Sequence, residues 1–230
     1  MKQLALLIPG LDGTGRLYYR QVDALSARYR VQPWAFLPRA RFTYSDLVQE
    51  LGEATADEPP GSIVVVGESF GGTVAMHYVL AFPGRVRLLA LINTFPYYKP
   101  KMRILAGLLL APMLKWSGIR EVKNFVVDRM LALEGITRED RRCYREIIRT
   151  VNARAYRRRL TLVREIDLRA RLQDIPVRTI VFASGRDKIV PSISAARHMA
   201  ARIPCAELHV FPRAGHALLL TPGFSLADYL

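Results

Sequence analysis

Short apolar runs alternate along this chain with longer segments of helical periodicity. Runs of Val, Ile and Leu without polar alternation are typical of parallel strands buried on both faces. Their alternation with helical stretches indicates an α/β fold, with a mostly parallel sheet of about six strands and helices on both faces. The predicted strands are 3–9, 30–36, 62–67, 87–93, 177–183 and 206–211, and the predicted helices are 17–29, 43–56, 70–82, 189–202 and 217 onward.

This order is interrupted between the fourth and fifth predicted strands. Residues 95–171 contain no convincing strand and read as wholly helical. An insertion at this point lies above the carboxyl ends of the strands, where open α/β sheets bind ligands. We therefore expect a core formed by 1–94 and 172–230 and a helical, basic lid formed by 95–171.

Composition fits one globular domain of moderate size. The chain has 230 residues, of which 50% are hydrophobic and 23% charged, which excludes disordered and collagen-like classes. Two cysteines without a spacing pattern predict neither a disulfide framework nor a zinc site. The N-terminal apolar run is too short for a secretory signal, and the longest apolar stretch, 104–114, is below the ~20 residues of a membrane span. We expect a soluble, cytoplasmic protein.

The positive charge is concentrated in the predicted lid. The formal net charge is +14, and 95–171 hold 19 Lys and Arg against 8 Asp and Glu. Any acidic partner should meet this segment. Nucleic acid is not expected, because no recognition motif accompanies the charge.

The glycine-rich stretch "IPGLDGTG" after the first strand suits either a phosphate or an oxyanion. A dinucleotide fingerprint runs G-x-G-x-x-G with an acidic residue about 20 positions later. Here Gly10, Gly13 and Gly15 are spaced in the opposite order, and no carboxylate occurs in 31–42. A P-loop would continue with Lys-Ser/Thr, whereas Arg16 and Leu17 follow. These mismatches weaken the phosphate interpretation.

The third strand leads directly into G-x-S-x-G, which is Gly67-Glu68-Ser69-Phe70-Gly71. A nucleophile on a sharp strand-to-helix turn has a strained backbone and close neighbours, so glycine is needed two places before and after it. The strand, turn and helix that this motif requires are all predicted here. Ser69 is the candidate nucleophile.

A serine needs a base, and the base needs a carboxylate. His216 is the candidate base because it follows the last strand, at the sheet edge where Ser69 is expected. Asp187 follows the fifth strand, whereas Asp174 precedes it and belongs to the opposite edge. The order Ser69, Asp187, His216 is that of an α/β-hydrolase triad. The remaining histidines lie within predicted helices or the last strand and are interpreted as structural or solvent-facing: His77, His198 and His209.

Acyl transfer through a serine also requires two N–H donors for the oxyanion. One is the residue after the nucleophile, Phe70, and the other comes from the loop after the first strand. By position that second donor is the N–H of Leu11. This assigns the glycine-rich stretch to an oxyanion loop.

Through "GESFGG", "GRDKIVP" and "AGH", the chain resembles the α/β-hydrolase superfamily over nearly its whole length. The loop "PGLDGTG" is similar to that of an esterase/lipase-like group that includes the hydrolase-like part of plant phytyl ester synthases. It has Pro9-Gly10 where the commoner form has His-Gly, a change that keeps the backbone donor. The H-x-x-x-x-D motif of the acyltransferase half of those synthases is missing, because Ile203 stands five places after His198.

The motifs therefore predict a serine hydrolase, carboxylesterase- or lipase-like, that acts on small-molecule esters with an apolar acyl group. No metal and no cofactor is expected. A thioesterase, a carrier-protein ester esterase and an acyltransferase would use the same triad. A non-catalytic small-molecule receptor is a further alternative, disfavoured because every catalytic position is filled.

Two parts of the predicted lid bear on the substrate. The stretch 101–116, "KMRILAGLLLAPMLKW", predicts a helix that lines an acyl pocket or, less favoured, an interfacial helix on anionic lipid. Arg141, Arg145 and Arg149 recur at i, i+4 and i+8. Such a stripe is usually a solvated helix face. It could also hold an anionic group such as that of coenzyme A, or dock an acidic protein such as an acyl carrier protein.

Overall fold

The computed structural model describes residues 2–98 and 135–230. Its centre is a six-stranded sheet in the order β2-β1-β3-β4-β5-β6, and every neighbouring pair is parallel. The predicted α/β fold with a parallel sheet of six strands is confirmed. The strands are β1 (Leu4–Ile8), β2 (Arg30–Pro33), β3 (Ile63–Glu68), β4 (Val86–Ile92), β5 (Arg178–Ser184) and β6 (Ala206–Phe211).

Burial follows the position of each strand in the sheet. Every residue of β1 and β3 is buried, whereas β2 and β6 are half-buried or exposed over their length. The central strands bury both faces because helices cover both sides, as an apolar run without alternation predicts. The edge strands β2 and β6 are not buried on both faces. The expectation that every strand is buried on both faces therefore holds only for the centre of the sheet.

Helices of the described segments cover the sheet unequally. The core cluster on one face includes residues of α2, α3 and α6, and that on the other includes residues of α1 and the C-terminal turns. Thr43 caps α2 in a box with Asp46, whose backbone N–H donates to the Thr43 hydroxyl at 3.2 Å. The helices are α1 (Tyr19–Ser26), α2 (Tyr44–Ala54), α3 (Phe70–Ala81), α4 (Arg138–Arg149), α5 (Ala153–Glu165) and α6 (Ser192–Ala200).

Two helical predictions are wrong in part. The chain after 217 forms only short 3-10 turns, Leu218–Leu220 and Leu226–Asp228, because Pro222-Gly223 interrupts any longer helix. The insertion 95–171 is not wholly helical, since Tyr97 and Asp167 form an antiparallel bridge near its two ends.

The bridge ties the start of the insertion to its end, and α4 and α5 lie between its partners along the chain. Residues of α4 share an apolar cluster with Leu17 and Leu220, and Leu160, Leu162 and Val163 of α5 belong to the main core. The predicted apolar helix at 101–116 lies outside the described residues. Within 2–98 and 135–230, no helix is long and apolar enough to cross a membrane.

Candidate active site

Ser69 lies at the sharp turn between β3 and α3. It is the N-cap residue of α3 with φ 53° and ψ −118°, a conformation that non-glycine residues rarely adopt. A Cβ on Gly67 would lie 2.6 Å from the Gly71 carbonyl oxygen, and one on Gly71 would lie 2.2 Å from the Ile8 carbonyl oxygen. The two glycines flanking the serine are therefore required by contact. This is the geometry of a nucleophile elbow.

The backbone of Ser69 is fixed by the neighbouring strand. Its N–H donates to the Ile92 carbonyl at 2.8 Å, and its own carbonyl accepts from the Thr94 hydroxyl at 2.6 Å. Residues 93–94 directly follow β4, so the strained turn is held by the chain beside it. Strain of this kind persists only where surrounding contacts over-determine it.

His216 connects Ser69 with Asp187. Its Nε2 lies 3.2 Å from the Ser69 hydroxyl oxygen, and its Nδ1 lies 2.7 Å from the Asp187 Oδ2. Ser69 is 5% exposed and His216 is 7% exposed. The structure thus brings together three residues that are up to 147 positions apart, in the arrangement that passes a proton from a hydroxyl to an imidazole.

The Asp187 carboxylate accepts hydrogen bonds on both oxygens. Its Oδ1 accepts from the backbone N–H groups of Ile189 and Val190, each at 2.9 Å. Its Oδ2 accepts from the Ser192 hydroxyl as well as from His216. Burial opposes ionisation, but the charge of His216 and these donors hold the pKa of Asp187 below its ordinary value.

The same contacts affect the protonation of His216. Burial opposes the imidazolium, yet the Asp187 carboxylate more than compensates and raises the pKa of His216 above its ordinary value of 6.5. With Nδ1–H donating to Asp187, the Nε2 lone pair faces the hydroxyl of Ser69.

Asn93 was not identified from the sequence. It follows β4 with φ 45°. Its side-chain amide donates to the Ser184 hydroxyl at 2.9 Å and to the His216 carbonyl at 2.8 Å, and its oxygen accepts from the Ser184 N–H at 2.9 Å. Asn93 therefore joins the ends of β4 and β5 to the histidine loop. An asparagine directly after an apolar strand was the one local signal.

The loop after β1 lies against the elbow. A Cβ on Gly71 would also lie 2.5 Å from the Pro9 carbonyl oxygen, and one on Gly10 would lie 2.9 Å from the Glu68 carboxyl. Phe70 is the first residue of α3, so its N–H has no partner within the helix. The sequence-assigned donors, Leu11 and Phe70, thus belong to two segments in contact.

Glu68 is a second residue of the site that sequence analysis did not single out. It is 6% exposed at the end of β3. Burial raises its pKa to about 7, against the opposing charge of His216. The site therefore contains a carboxyl group that titrates near neutral pH beside the nucleophile.

The other three histidines lie within helices or the last strand. His77 is on α3 and stacks on Tyr44, His198 is on α6, and His209 of β6 stacks on Phe182. Within the described segments, no three His, Cys, Asp or Glu side chains converge as a metal site requires.

Comparisons with known proteins agree with this architecture. A family model described as "Alpha/beta hydrolase family" matches residues 5–228. A protein of Caulobacter segnis named as a carbamate hydrolase, RutD, is 24% identical over 96% of this chain and 86% of its own length. A pimeloyl-[acyl-carrier protein] methyl ester esterase of Nitrosomonas europaea is 27% identical over 87% of this chain and 83% of its own length.

Solved structures share the fold. A hydrolase from Pseudomonas aeruginosa superposes with a TM-score of 0.80, at 24% identity, over 94% of this chain and 83% of that chain. The similarity extends over nearly the whole chain and is not confined to one motif.

Proposed function

Because the chain belongs to the alpha/beta hydrolase family, we propose that it is a serine esterase that cleaves carboxylic esters through an acyl-enzyme on Ser69. The observation that carries this proposal is the pair of contacts made by His216, at 3.2 Å to Ser69 and 2.7 Å to Asp187. Each contact has the reach that proton transfer and imidazole orientation require.

In the first half-reaction, the Nε2 of His216 takes the proton of the Ser69 hydroxyl as its oxygen attacks the ester carbonyl. The N–H groups of Leu11 and Phe70 hold the oxyanion of the tetrahedral intermediate. The carbon–oxygen bond to the alcohol then breaks, and His216 returns the proton to the leaving alkoxide. Asp187 keeps the imidazole oriented and stabilises its charged form throughout.

In the second half-reaction, water takes the place of the alcohol. His216 removes a proton from the water as it attacks the acyl-enzyme. The bond between the acyl carbon and the Ser69 oxygen then breaks as His216 returns that proton to Ser69, which releases the carboxylic acid. The raised pKa of His216 suits a base that must also donate. Every proton transfer in these steps passes through His216.

Active-site labelling tests the proposal. A fluorophosphonate probe should label Ser69, detected by peptide mass spectrometry, while Ser69→Ala and His216→Ala should prevent labelling. Ser62→Ala, at the amino-terminal end of β3 and so at the opposite edge of the sheet, is the matched control and should label fully. A folded native protein that takes up no label would contradict the proposal.

A substrate panel then separates the related activities. p-Nitrophenyl esters of increasing acyl length, an acyl-CoA thioester and a carbamate ester should be compared under one condition. A serine esterase turns over the oxygen esters with the highest kcat/KM. Preference for the thioester would move the assignment to a thioesterase, and preference for the carbamate to the activity named for the Caulobacter relative.

One observation favours a carrier-linked ester as a second candidate. Arg149 ends α4, Arg154 and Arg157 lie in the first turns of α5, and all three side chains are exposed. We call this cluster the basic corner. Of the predicted stripe, Arg141 instead turns back to the Ile136 carbonyl at 3.3 Å. A concentrated positive surface attracts an acidic protein, and one relative is named for an ester on an acyl carrier protein.

Charge reversal tests this candidate. Arg154→Glu with Arg157→Glu should lower kcat/KM on an acyl-carrier ester by about tenfold or more, with an effect that weakens as salt rises. Small neutral esters should be hydrolysed within about twofold of the native rate. Arg28→Glu, exposed just before β2 at the opposite edge of the sheet, is the control. Equal loss on both substrates would contradict carrier docking.

A further inference from the structure

Arg159 is a buried arginine inside α5. It is 2% exposed, and it lies four residues from Ala155 and four from Val163, which are both buried in the same helix. Arginine almost never becomes fully buried without partners. Its position on the apolar face of α5 therefore requires an explanation.

The partners of Arg159 are the backbone carbonyls of the oxyanion loop. Its Nε donates to the Leu11 carbonyl at 2.8 Å, and one terminal nitrogen donates to the Asp12 carbonyl at 3.1 Å. The guanidinium also lies over the Phe36 ring, 6.0 Å from its centroid. A Cβ on Gly13, where φ is 71°, would lie 2.7 Å from the guanidinium carbon, so a larger residue there would displace the guanidinium.

Arg159 remains charged at neutral pH. Burial lowers its pKa to about 10, and the Asp12 carboxylate opposes that decrease. Asp12 itself accepts from the N–H and hydroxyl of Thr14, at 2.8 and 2.6 Å. The charged guanidinium of Arg159 thus lies against two carbonyl groups of the loop.

A chain of hydrogen bonds runs from this charge to the proposed oxyanion donor. Arg159 donates to the carbonyl of Asp12, which belongs to the same peptide group as the Gly13 N–H. The Gly13 N–H donates to the Gly10 carbonyl at 3.1 Å, and that carbonyl shares its peptide group with the Leu11 N–H. Hydrogen bonds in such chains polarise one another, most strongly in a buried environment.

We propose that Arg159 is a positioning residue that orients and polarises the Leu11 N–H through the Asp12 and Gly10 peptide groups. The inference rests on the proposed function, since it assumes that Leu11 binds an oxyanion. On this proposal α5, which is distant in sequence from the catalytic motifs, helps to position the oxyanion donor. Its effect should be confined to states in which negative charge develops on the substrate oxygen.

Substitution at two adjacent arginines tests this role. Arg159→Met keeps much of the volume and removes the charge and the donors. Losing a whole oxyanion donor costs about 10²–10³ in rate, so a donor that is left misaligned should lower kcat by about 10- to 100-fold with KM changed less than about threefold. Arg159→Lys keeps the charge and should recover part of the kcat.

Arg158→Met is the matched control. Arg158 lies on the same helix and donates to a backbone carbonyl too, but to that of Phe42 at 2.6 Å, outside the oxyanion loop. Its kcat on a p-nitrophenyl ester should stay within about twofold of native. Thermal melting of all variants checks that the comparison is made on folded protein.

Inhibitor affinity separates this role from a structural one. A trifluoromethyl ketone adds reversibly to Ser69 and places negative charge on its oxygen, whereas an ether of the same shape forms no oxyanion. Arg159→Met should weaken binding of the ketone by about the same factor by which it lowers kcat. Its affinity for the ether should be unchanged. If Arg159→Met does not fold, Arg159→Gln, a neutral donor, replaces it with the same expectation.

Three results would overturn the inference, provided that the native enzyme takes up the fluorophosphonate probe and hydrolyses esters. The first is native kcat in a folded neutral variant at 159. The second is an equal loss of affinity for the ketone and the ether in Arg159→Met. The third is a kcat of Arg159→Lys that is no higher than that of Arg159→Met. Native protein that takes up no fluorophosphonate would instead remove the proposed function, and this inference with it.

Discussion

Glu68 makes the free energy of unfolding of this protein decrease as pH rises. Its carboxyl is buried beside Ser69, and burial raises its pKa from 4.5 to about 7. Below pH 4.5 the side chain is neutral in both the folded and the unfolded chain. Between pH 4.5 and 7 only the unfolded chain ionises, so the native state loses stability as pH rises, and above about pH 7 the loss is complete.

The size of this effect follows from the shift. One pKa unit corresponds to 1.36 kcal/mol, so the ionised Glu68 destabilises the folded state by about 3 kcal/mol at pH 8 relative to pH 4.5. Glu68→Gln keeps the shape and removes the titration. The free energy of unfolding of the variant minus that of the native protein should therefore be about 3 kcal/mol larger at pH 8 than at pH 4.5.

Urea unfolding of both proteins at pH 4.5, 6 and 8 measures this difference. Comparing the two proteins at each pH cancels the titration of the groups they share. Glu139→Gln, on the exposed side of α4, controls for the loss of a glutamate alone. A free-energy difference between the Glu68→Gln variant and the native protein that is the same at all three pH values would refute the reasoning.

The same variant should shift the activity profile. In the proposed mechanism His216 must be neutral to accept the serine proton, so kcat/KM should rise with pH through a pKa above 6.5. The Glu68 carboxylate is one of the charges that raise this pKa. In Glu68→Gln the acid limb of kcat/KM should therefore move to lower pH, measured with a small neutral ester.

Three further substitutions test the supports of the site. Ser192→Ala removes a donor to Asp187 and should lower kcat by about tenfold in steady-state assays, since a hydrogen bond to a charged group contributes about 1.5–3 kcal/mol; an unchanged kcat would contradict this. Asn93→Ala leaves buried partners unsatisfied and should destabilise by about 1–3 kcal/mol in urea unfolding, whereas a native midpoint would show the contacts to be dispensable. Gly71→Ala places a Cβ against the Ile8 carbonyl and should destabilise by about 1–3 kcal/mol or more, with an unchanged melting temperature as the contrary result.

The sheet and the candidate triad could be predicted because both depend on local patterns. Each buried strand is an uninterrupted apolar run, and parallel strands all end at the same edge. Ser69, Asp187 and His216 follow β3, β5 and β6, so strand order predicted that they lie at one edge. The prediction of a helix after 217 was wrong because the apolar run "ALLL" has helical composition but is followed by Pro222-Gly223.

The supports of the site could not be predicted because they are contacts from side chains to distant backbone. Arg159 lies within three consecutive arginines, and composition assigns that run to a solvated face. Helical spacing held the missing signal: Ala155, Arg159 and Val163 fall on one side of α5. Spacing could have shown that Arg159 is buried, but not that it reaches carbonyls 148 positions away in the chain.

Side chains that donate to backbone carbonyls join the segments of this site. Thr94 donates to the Ser69 carbonyl and Asn93 to the His216 carbonyl. Arg159 donates to the Leu11 carbonyl. The three segments that carry the proposed nucleophile, base and oxyanion donor thus each accept a hydrogen bond from another element. Since a misplacement of about 1 Å can cost about 100-fold in rate, substitutions at these donors should reduce activity more than their modest effects on stability suggest.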